Sequence, residues 1–236
     1  MIHKTAIIDK KAEISSKVEI GPYCVIGPDV KIGSNTIVHS HVNITGNTSI
    51  GSNNEIFPFC SIGTPPQDLK YKGEKNSIII GDNNKFREYV NINPGTLSGG
   101  SVTKIGHKNL FMVYTHIAHD CIVEDEVVLA NNVQVGGHVL IQNKAIIGGS
   151  CAVHQFSRVG QSAMVGGMTG VLSDVIPFGL SLGNRNNLSG LNLIGLRRAR
   201  ISNSDIKIMQ ESYNFIFRTS GFRLNCLPNT SISSKL

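Results

Sequence analysis

The sequence contains no tryptophan, few aromatic residues and few charges. Aromatic residues make up 6% of the 236 residues, and Asp, Glu, Lys and Arg together make up 16%, against roughly 25% charged residues in an average globular protein. The sequence shows no signal peptide and no apolar run long enough to span a bilayer, because its first residues lead directly into repeated sequence. We therefore expect neither secretion nor a transmembrane segment.

What the sequence does have is an apolar residue, nearly always aliphatic, at every sixth position of two long runs. The first run extends from Ile8 to Ile62, and the second extends from Ile105 to Val171. A period of six fits neither the turn of an α-helix nor the simple alternation of a free-standing strand. It is typical of the hexapeptide repeat of a parallel β-helix. The sequence therefore predicts an all-β solenoid.

Two other positions of the repeat describe its corners and its interior. The residue after the aliphatic one is often glycine, as at Gly33 and Gly51, and we expect these glycines to supply the backbone angles of the corners. The residue two places before it is usually small, as at Thr36, and shares its inward direction. If three hexads form one coil, residues three hexads apart are stacked. The period does not set the handedness, and parallel crossovers are generally right-handed.

The placement of the cysteines argues against disulfide bonds. Four of the five occupy the small inward position, namely Cys24, Cys60, Cys121 and Cys151. We expect these side chains to be buried, reduced thiols, which suit the reducing cytoplasm. The formal net charge of +6 suits an acidic partner.

Three segments break the repeat, and breaks of this kind commonly carry function. Residues 64–77 would direct Asp68 and Glu74 into the apolar interior if they stayed in phase, so we predict an external loop there. Residues 93–104 shift the phase by one residue and predict a second external loop. The third break begins at Pro177 and leads into a different kind of sequence.

The segment after the third break has the spacing of a helix. Ser202 or Ser204 can cap a helix whose apolar residues begin at Ile206. We therefore predict a β-helix domain at 1–189 and a short, truncated C-terminal helical segment at 190–236, frayed after about residue 220. We expect the helical segment to cover an open end of the solenoid, where unpaired strand edges would otherwise be exposed.

The second run contains a cluster of histidines: His116, His119, His138 and His154. Stacking by three hexads places Asp120 under His138. It places His119 under Gly137, with Gln155 in the next coil. A glycine beside His119 leaves room for a substrate, and imidazole titrates near neutral pH, so one hypothesis is a general base at His119. The alternative is that these histidines are simply polar surface.

Several motifs, in order and at consistent spacing, carry a resemblance to a known family. They are QDLKY at 67–71, HIAHDC at 116–121, LANN at 129–132, GGH at 136–138, AVHQF at 152–156 and GLNLIGLRRA at 190–199. With these motifs the chain resembles the acyl-carrier-protein–UDP-N-acetylglucosamine O-acyltransferases, which catalyse the first step of lipid A synthesis. The resemblance extends from about residue 1 to residue 219.

The resemblance implies a fold, an assembly and a reaction. The fold is a left-handed parallel β-helix, and the assembly is a homotrimer with active sites between neighbouring subunits. The reaction moves a 3-hydroxyacyl chain from acyl carrier protein to the glucosamine 3-hydroxyl of UDP-N-acetylglucosamine. We expect no cofactor, no metal and no nucleic-acid partner.

By matching motif, the resemblance assigns three catalytic residues. His119 is the general base that takes the proton from the sugar hydroxyl. Asp120 supports it, and Gly137 donates its backbone N–H to the developing oxyanion. Gly167 corresponds to a position that limits acyl length, where a glycine leaves a longer groove. Residues assigned to substrate binding are Gln67, Asp68, Lys70, His116, His138, His154 and Gln155, with Asn192 and Arg198 at the nucleotide phosphates.

Each binding assignment has a structural alternative. Asp68 and Lys70 could be ordinary loop charges, and Gly167 could be a corner glycine without a ligand. Two departures from the family pattern also stand out. Pro94 follows Asn93 where the family commonly has an arginine, and the helical C-terminal region of the family continues beyond the residues present here.

Three competing functions use the same repeat. A zinc enzyme similar to the γ-class carbonic anhydrases would bind its metal with three histidines across a subunit interface. An N-acyltransferase of the same pathway should carry an additional domain before the repeat. A non-catalytic trimeric solenoid would not depend on His119 at all.

Overall fold

The computed structural model describes residues 1–218, which fall into two compact units, Met1–Asn192 and a second unit that begins at Leu193. In the first unit the chain passes repeatedly through three parallel sheets, here called wall 1, wall 2 and wall 3 in the order in which the chain meets them. Ile7 of one coil pairs with Val25 of the next, so the stacking period is three hexads, as predicted. The predicted fraying after residue 220 lies outside the described residues.

Each wall is described by its strands. Within residues 1–218, wall 1 contains β1 (Ile7–Ile8), β4 (Val25–Ile26), β7 (Asn43–Ile44), β10 (Ser61–Ile62), β13 (Asn91–Ile92), β16 (His116–Ile117), β19 (Gln134–Val135), β22 (Ala152–Val153) and β25 (Gly170–Val171). Wall 2 contains β2 (Glu13–Ile14), β5 (Val30–Ile32), β8 (Thr48–Ile50), β11 (Ser77–Ile80), β14 (Val102–Ile105), β17 (Ile122–Val123), β20 (Leu140–Ile141) and β23 (Arg158–Val159). Wall 3 contains β3 (Glu19–Ile20), β6 (Ile37–Val38), β9 (Glu55–Ile56), β12 (Lys85–Phe86), β15 (Leu110–Phe111), β18 (Val128–Leu129), β21 (Ile146–Ile147), β24 (Met164–Val165), β26 (Gly179–Leu182) and β27 (Asn187–Leu191).

The interior is filled by the two inward positions of each hexad, as predicted. Phe86 and Phe111 are fully buried and stack with their ring centroids 5.1 Å apart. The cysteines at the small position are buried and free, and the Cys121 thiol donates to the Gly136 carbonyl. Burial raises the pKa of the Cys60 and Cys121 thiols to about 12, which keeps them protonated.

The expected reason for the glycines that follow the aliphatic residue of each hexad is wrong at all of these positions except Gly63, which has a φ of 86°. The corner angles with positive φ belong to the third residue after the aliphatic one, which is rarely glycine; Tyr23 and Asn35, for example, have φ of 59° and 58°. Gly33, directly after Ile32, does not have this conformation. A Cβ at Gly33 would lie 2.5 Å from the carbonyl carbon of Gly51 in the next coil. Glycine is required there because neighbouring coils approach closely.

Both predicted loops leave the solenoid at the corner between wall 1 and wall 2. The first connects Ile62 to Ser77, and the second connects Ile92 to Val102, so each ends slightly earlier than predicted. The second loop contains a 3₁₀ helix, η1 (Leu97–Gly99). It is not simply external, because residues 93–96 are buried. The two loops are joined by a hydrogen bond of 2.9 Å from Asn76 Nδ2 to the Gly95 carbonyl.

The end of the chain departs from the parallel pattern in two ways. β27 pairs with β26 in antiparallel fashion, so strand structure continues to Leu191. The second unit contains α1 (Leu193–Arg198) and α2 (Asn203–Phe217). Ser202 caps α2, since its hydroxyl accepts the Asp205 N–H at 3.1 Å. Among the described residues, no helix is both long and apolar enough to cross a membrane.

The close approach of the coils gives a stability prediction. We expect Gly33→Ala to lower the free energy of unfolding by about 1–3 kcal/mol, because the new Cβ forces two backbones apart. Gly149→Ala is the matched control, since its nearest neighbour would be an oxygen at 3.3 Å and its φ is not positive. Urea unfolding at one protein concentration measures both, and an equal effect of the two substitutions would contradict the explanation.

Candidate functional site

The predicted histidine cluster forms at the corner where both loops emerge. β16, β19 and β22 are successive strands of wall 1, and each is followed by a four-residue corner. His119 and Asp120 follow β16. Gly137 and His138 follow β19, and the His138 N–H donates to the His119 carbonyl at 3.0 Å. Stacking therefore brings a carboxylate and two imidazoles from different coils together, with their ligand atoms within 4.8 Å of one another.

Asp120 is the buried centre of this cluster. Its side chain is only 1% exposed, and its backbone holds a positive φ of 61°. Its Oδ1 accepts the Thr96 N–H at 2.8 Å, and its Oδ2 accepts the Thr96 hydroxyl at 2.6 Å. Its own N–H donates to the Thr103 hydroxyl at 2.9 Å. A buried carboxylate needs such partners, and the second loop supplies them.

His119 is oriented by Asp120. Its Nδ1 lies 2.8 Å from Asp120 Oδ2, and since a carboxylate oxygen accepts, Nδ1 carries the hydrogen and donates it. In the neutral ring this leaves Nε2 without its proton and able to act as a base. The two atoms thus form the imidazole–carboxylate pair from which a general base is built.

The space beside Gly137 is used differently from the expectation. A Cβ at Gly137 would lie 2.6 Å from His119 Cε1, so the imidazole itself occupies the space that we expected for a substrate. Gly137 is required for the position of the ring. Its carbonyl accepts the Phe156 N–H at 3.0 Å, whereas its own N–H bonds to none of the described residues.

His138 lies beside this pair. Its Nε2 lies 3.9 Å from Asp120 Oδ2, its ring meets the edge of His119 at 5.0 Å, and it stacks on Phe156 at 4.4 Å. Burial lowers the pKa of His138, the charge of Asp120 opposes that shift, and a charge on His119 adds to it. Sequence reasoning missed Phe156, although its place directly above His138 in the stacking order could have identified it.

His116 lies on the outer face of wall 1. Its Nδ1 is 2.7 Å from Asn91 Oδ1, and burial, with a smaller contribution from His119, lowers its pKa. His154 and Gln155 are exposed in the coil above Gly137, where His154 Nδ1 lies 3.0 Å from the Gln155 carbonyl oxygen.

The first loop approaches the cluster from the same corner. Gln67 and Lys70 are exposed and Asp68 is half-buried, and Asp68 Oδ1 accepts the Lys70 N–H at 3.0 Å. The charges of Asp68 and Lys70 reach His138, where the first raises its pKa and the second lowers it by minor amounts. The structure therefore places this loop within electrostatic range of the histidines.

Of the remaining predicted site residues, Gly167 and Asn192 lie at other corners of the first unit, and Arg198 belongs to the second unit. Gly167 follows β24 of wall 3, at the corner where the chain passes into wall 1, and it is exposed. Asn192 follows β27 and donates from Nδ2 to the Ser162 carbonyl at 3.1 Å. Arg198 is an exposed residue of α1 in the second unit. Within one copy of the first unit, Gly167 and His119 therefore lie at different corners.

The repeated coils and the imidazole–carboxylate pair define a class, the transferases built on hexapeptide repeats. Residues 11–46 match the family model of the bacterial transferase hexapeptide, and residues 174–227 match the model of domain 2 of UDP-N-acetylglucosamine O-acyltransferase. An acyl-[acyl-carrier-protein]–UDP-N-acetylglucosamine O-acyltransferase of Aliarcobacter butzleri is 50% identical over 216 residues, which cover 92% of this chain and 83% of the relative. The chain belongs to that family of enzymes.

Other relatives support the same family assignment. The enzyme of the same name from Nautilia profundicola is 46% identical over 72% of this chain and 66% of its own length. The crystal structure of UDP-N-acetylglucosamine O-acyltransferase from Moraxella catarrhalis matches with a TM-score of 0.92 and 48% identity, covering 95% of this chain and 88% of that one. The predicted left-handed parallel β-helix is thereby confirmed, and the general preference for right-handed crossovers does not apply. These relatives do not favour the zinc alternative.

The lowered pKa values of His116 and His138 predict how stability depends on pH. Below the ordinary imidazole value of about 6.5, the unfolded chain binds protons more readily than the folded chain. The contribution of these two histidines to the free energy of unfolding is therefore fully present above about pH 6.5. It is lost as the pH falls through their lowered pKa values in the folded protein. We expect His116→Asn to reduce this loss, measured by urea unfolding between about pH 7.5 and pH 5.

His3→Asn is the control for this measurement, because His3 is exposed. The loss of stability at acid pH should be larger in His3→Asn than in His116→Asn. An unchanged or steeper loss in His116→Asn would contradict the assigned effect of burial.

Proposed function

We propose that this chain transfers a 3-hydroxyacyl group from acyl carrier protein to the glucosamine 3-hydroxyl of UDP-N-acetylglucosamine, the first step of lipid A biosynthesis. The observation that carries the proposal is the His119–Asp120 pair, with Nδ1 bound to a buried carboxylate and Nε2 available as a base. Membership of the family supports the same reaction. We place the reaction in the cytoplasm, in agreement with the buried free thiols.

The proposed mechanism begins with proton transfer. His119 Nε2 takes the proton of the sugar 3-hydroxyl. At the same time the oxygen of that hydroxyl attacks the carbonyl carbon of the thioester that joins the acyl chain to the carrier protein. The Gly137 N–H, which bonds to none of the described residues, is suited to donate to the resulting oxyanion. Collapse of the intermediate forms the ester and expels the carrier thiolate, which takes the proton back from the imidazolium of His119. Asp120 stabilises that imidazolium while it exists.

The binding residues support a site shared between subunits of a homotrimer. Gly167 and His119 lie at different corners of the first unit, so one groove can contain both only if a neighbouring copy contributes one of them. In this arrangement Gln67, Asp68 and Lys70 border the sugar and acyl parts, with the histidines and Gln155. Gly167 limits the acyl chain. Asn192 and Arg198 meet the nucleotide phosphates.

The second partner is an acidic carrier protein. The net charge of +6 favours its approach, and three exposed arginines concentrate that charge near the end of α1: Arg197, Arg198 and Arg200. Charge of this kind raises the rate of association more than the final affinity.

The proposal predicts that His119→Ala nearly abolishes the reaction and preserves the fold. Without the base, kcat should fall by about 10²–10⁴-fold. A transferase assay with UDP-N-acetylglucosamine and 3-hydroxyacyl carrier proteins of several chain lengths measures it. His107→Ala is the matched control, because His107 also lies two residues after an aliphatic residue but at the corner between wall 2 and wall 3; it should retain activity.

Other outcomes would identify the alternatives. Unchanged transfer in His119→Ala would remove the proposed mechanism, and no transfer with any carrier would favour a non-catalytic solenoid. Stoichiometric zinc in the purified protein would favour the metal enzyme, since His119, Asp120 and His138 are close enough to hold an ion. A monomeric molar mass in solution would contradict the shared site, and any other mass than that of three chains would contradict the trimer.

A further inference from the structure

The second loop folds back over the cluster and reaches Asp120 with one residue. Thr96 donates to both carboxylate oxygens, from its N–H to Oδ1 and from its hydroxyl to Oδ2. Thr96 is 2% exposed, so it is shielded from any substrate that approaches His119. Its hydroxyl also lies 2.9 Å from the Ser98 hydroxyl, within the same loop. The contact between Thr96 and Asp120 is therefore internal to the protein.

The loop is shaped for this contact by its glycines. A Cβ at Gly99 would overlap the Asp120 side chain, and a Cβ at Gly95 would lie 2.7 Å from Asp120 Oδ1. Both glycines allow the loop backbone to close on the carboxylate. Thr103, where the chain re-enters wall 2, accepts the Asp120 N–H and is fully buried. The corner residue is thus held on its backbone and on both carboxylate oxygens.

Asp120 Oδ2 is shared between two donors, the hydroxyl of Thr96 and the Nδ1 of His119. The position of Oδ2 decides which ring nitrogen of His119 carries the hydrogen. A carboxylate that rotated about its side-chain torsion would release Nδ1, and the neutral ring could then carry its hydrogen on Nε2. A ring in that form cannot accept the proton of a hydroxyl at Nε2.

From this geometry we propose that Thr96 is a positioning residue, which fixes the Asp120 carboxylate so that neutral His119 keeps its hydrogen on Nδ1 and presents Nε2 as the base. The inference rests on the proposed function for its effect on rate, but its effect on the tautomer is independent of any activity. The second loop then contributes to catalysis through Asp120, without any contact between its buried residues and a substrate.

The experiment compares Thr96→Val, which keeps the shape and removes the hydroxyl, with Thr96→Ser, which restores it. We expect Thr96→Val to lower kcat by about 10- to 100-fold, as the loss of a hydrogen bond to a charged group implies. KM should change by less than about threefold, because Thr96 does not touch the substrate. Thr96→Ser should recover most of the rate.

Nitrogen-15 NMR of the imidazoles supplies the direct readout. Wild-type His119 should be the Nδ1–H tautomer at neutral pH, and Thr96→Val should contain a substantial fraction of the Nε2–H tautomer. Thr48→Val is the control for removal of a buried threonine hydroxyl, since among the described residues the Thr48 hydroxyl bonds only to the Thr45 carbonyl. It should change neither the tautomer nor the rate.

Each outcome decides the inference. Nδ1–H His119 and a wild-type rate in Thr96→Val would overturn it, as would an equal loss of rate in Thr48→Val. Wild-type His119 found as the Nε2–H tautomer would overturn it even if Thr96→Val did not fold. Absence of transfer by the wild-type protein, with the tautomer still dependent on Thr96, would instead contradict the proposed function and leave the positioning role standing.

Discussion

The structure depends on one constraint, the hydrogen-bonded register that stacks each residue on its counterpart three hexads away. Pairs such as His116 with Gln134, and Gln134 with Ala152, repeat the same offset along wall 1. Outside the two coils that contain the loops the offset is constant. A position within the hexad therefore determines a direction in space, and residues far apart in sequence form columns along each corner. The candidate site is a place where two adjacent columns carry His119, Asp120 and His138.

This constraint explains what could be predicted from sequence and what could not. The period predicted the parallel walls, the inward cysteines and the neighbours Asp120 and His138, because all of them follow from counting. It did not predict Thr96, because the loop leaves the register between Ile92 and Val102 and the Thr96 side chain is placed by the path of that loop and by its hydrogen bond to Asp120. The reason given for the glycines was wrong for a related cause, since sequence shows a glycine's position in the hexad but not the distance to the next coil.

A buried carboxylate is costly unless its lone pairs are occupied. In this chain the solenoid provides one of the donors to Asp120, the His119 ring, and the loop provides the others. At this corner the solenoid also supplies a buried hydroxyl, that of Thr103, but it accepts the Asp120 N–H, and the hydroxyl that donates to the carboxylate comes from the loop. The apolar solenoid holds the corner rigid, and the second loop supplies the polar groups that bind Asp120 there.

The two loops also show how such a fold can change over evolutionary time. The segment between Ile62 and Ile80 contains two hexads more than an ordinary corner, and the segment between Ile92 and Ile105 contains one hexad and one further residue. In both cases the following strand pairs in the same wall as before, so the inserted length is absorbed outside the stack. A single-residue insertion inside a strand would instead reverse the direction of the side chains that follow it. The scaffold therefore accommodates additional residues at this one corner, and there their side chains can meet the reacting groups.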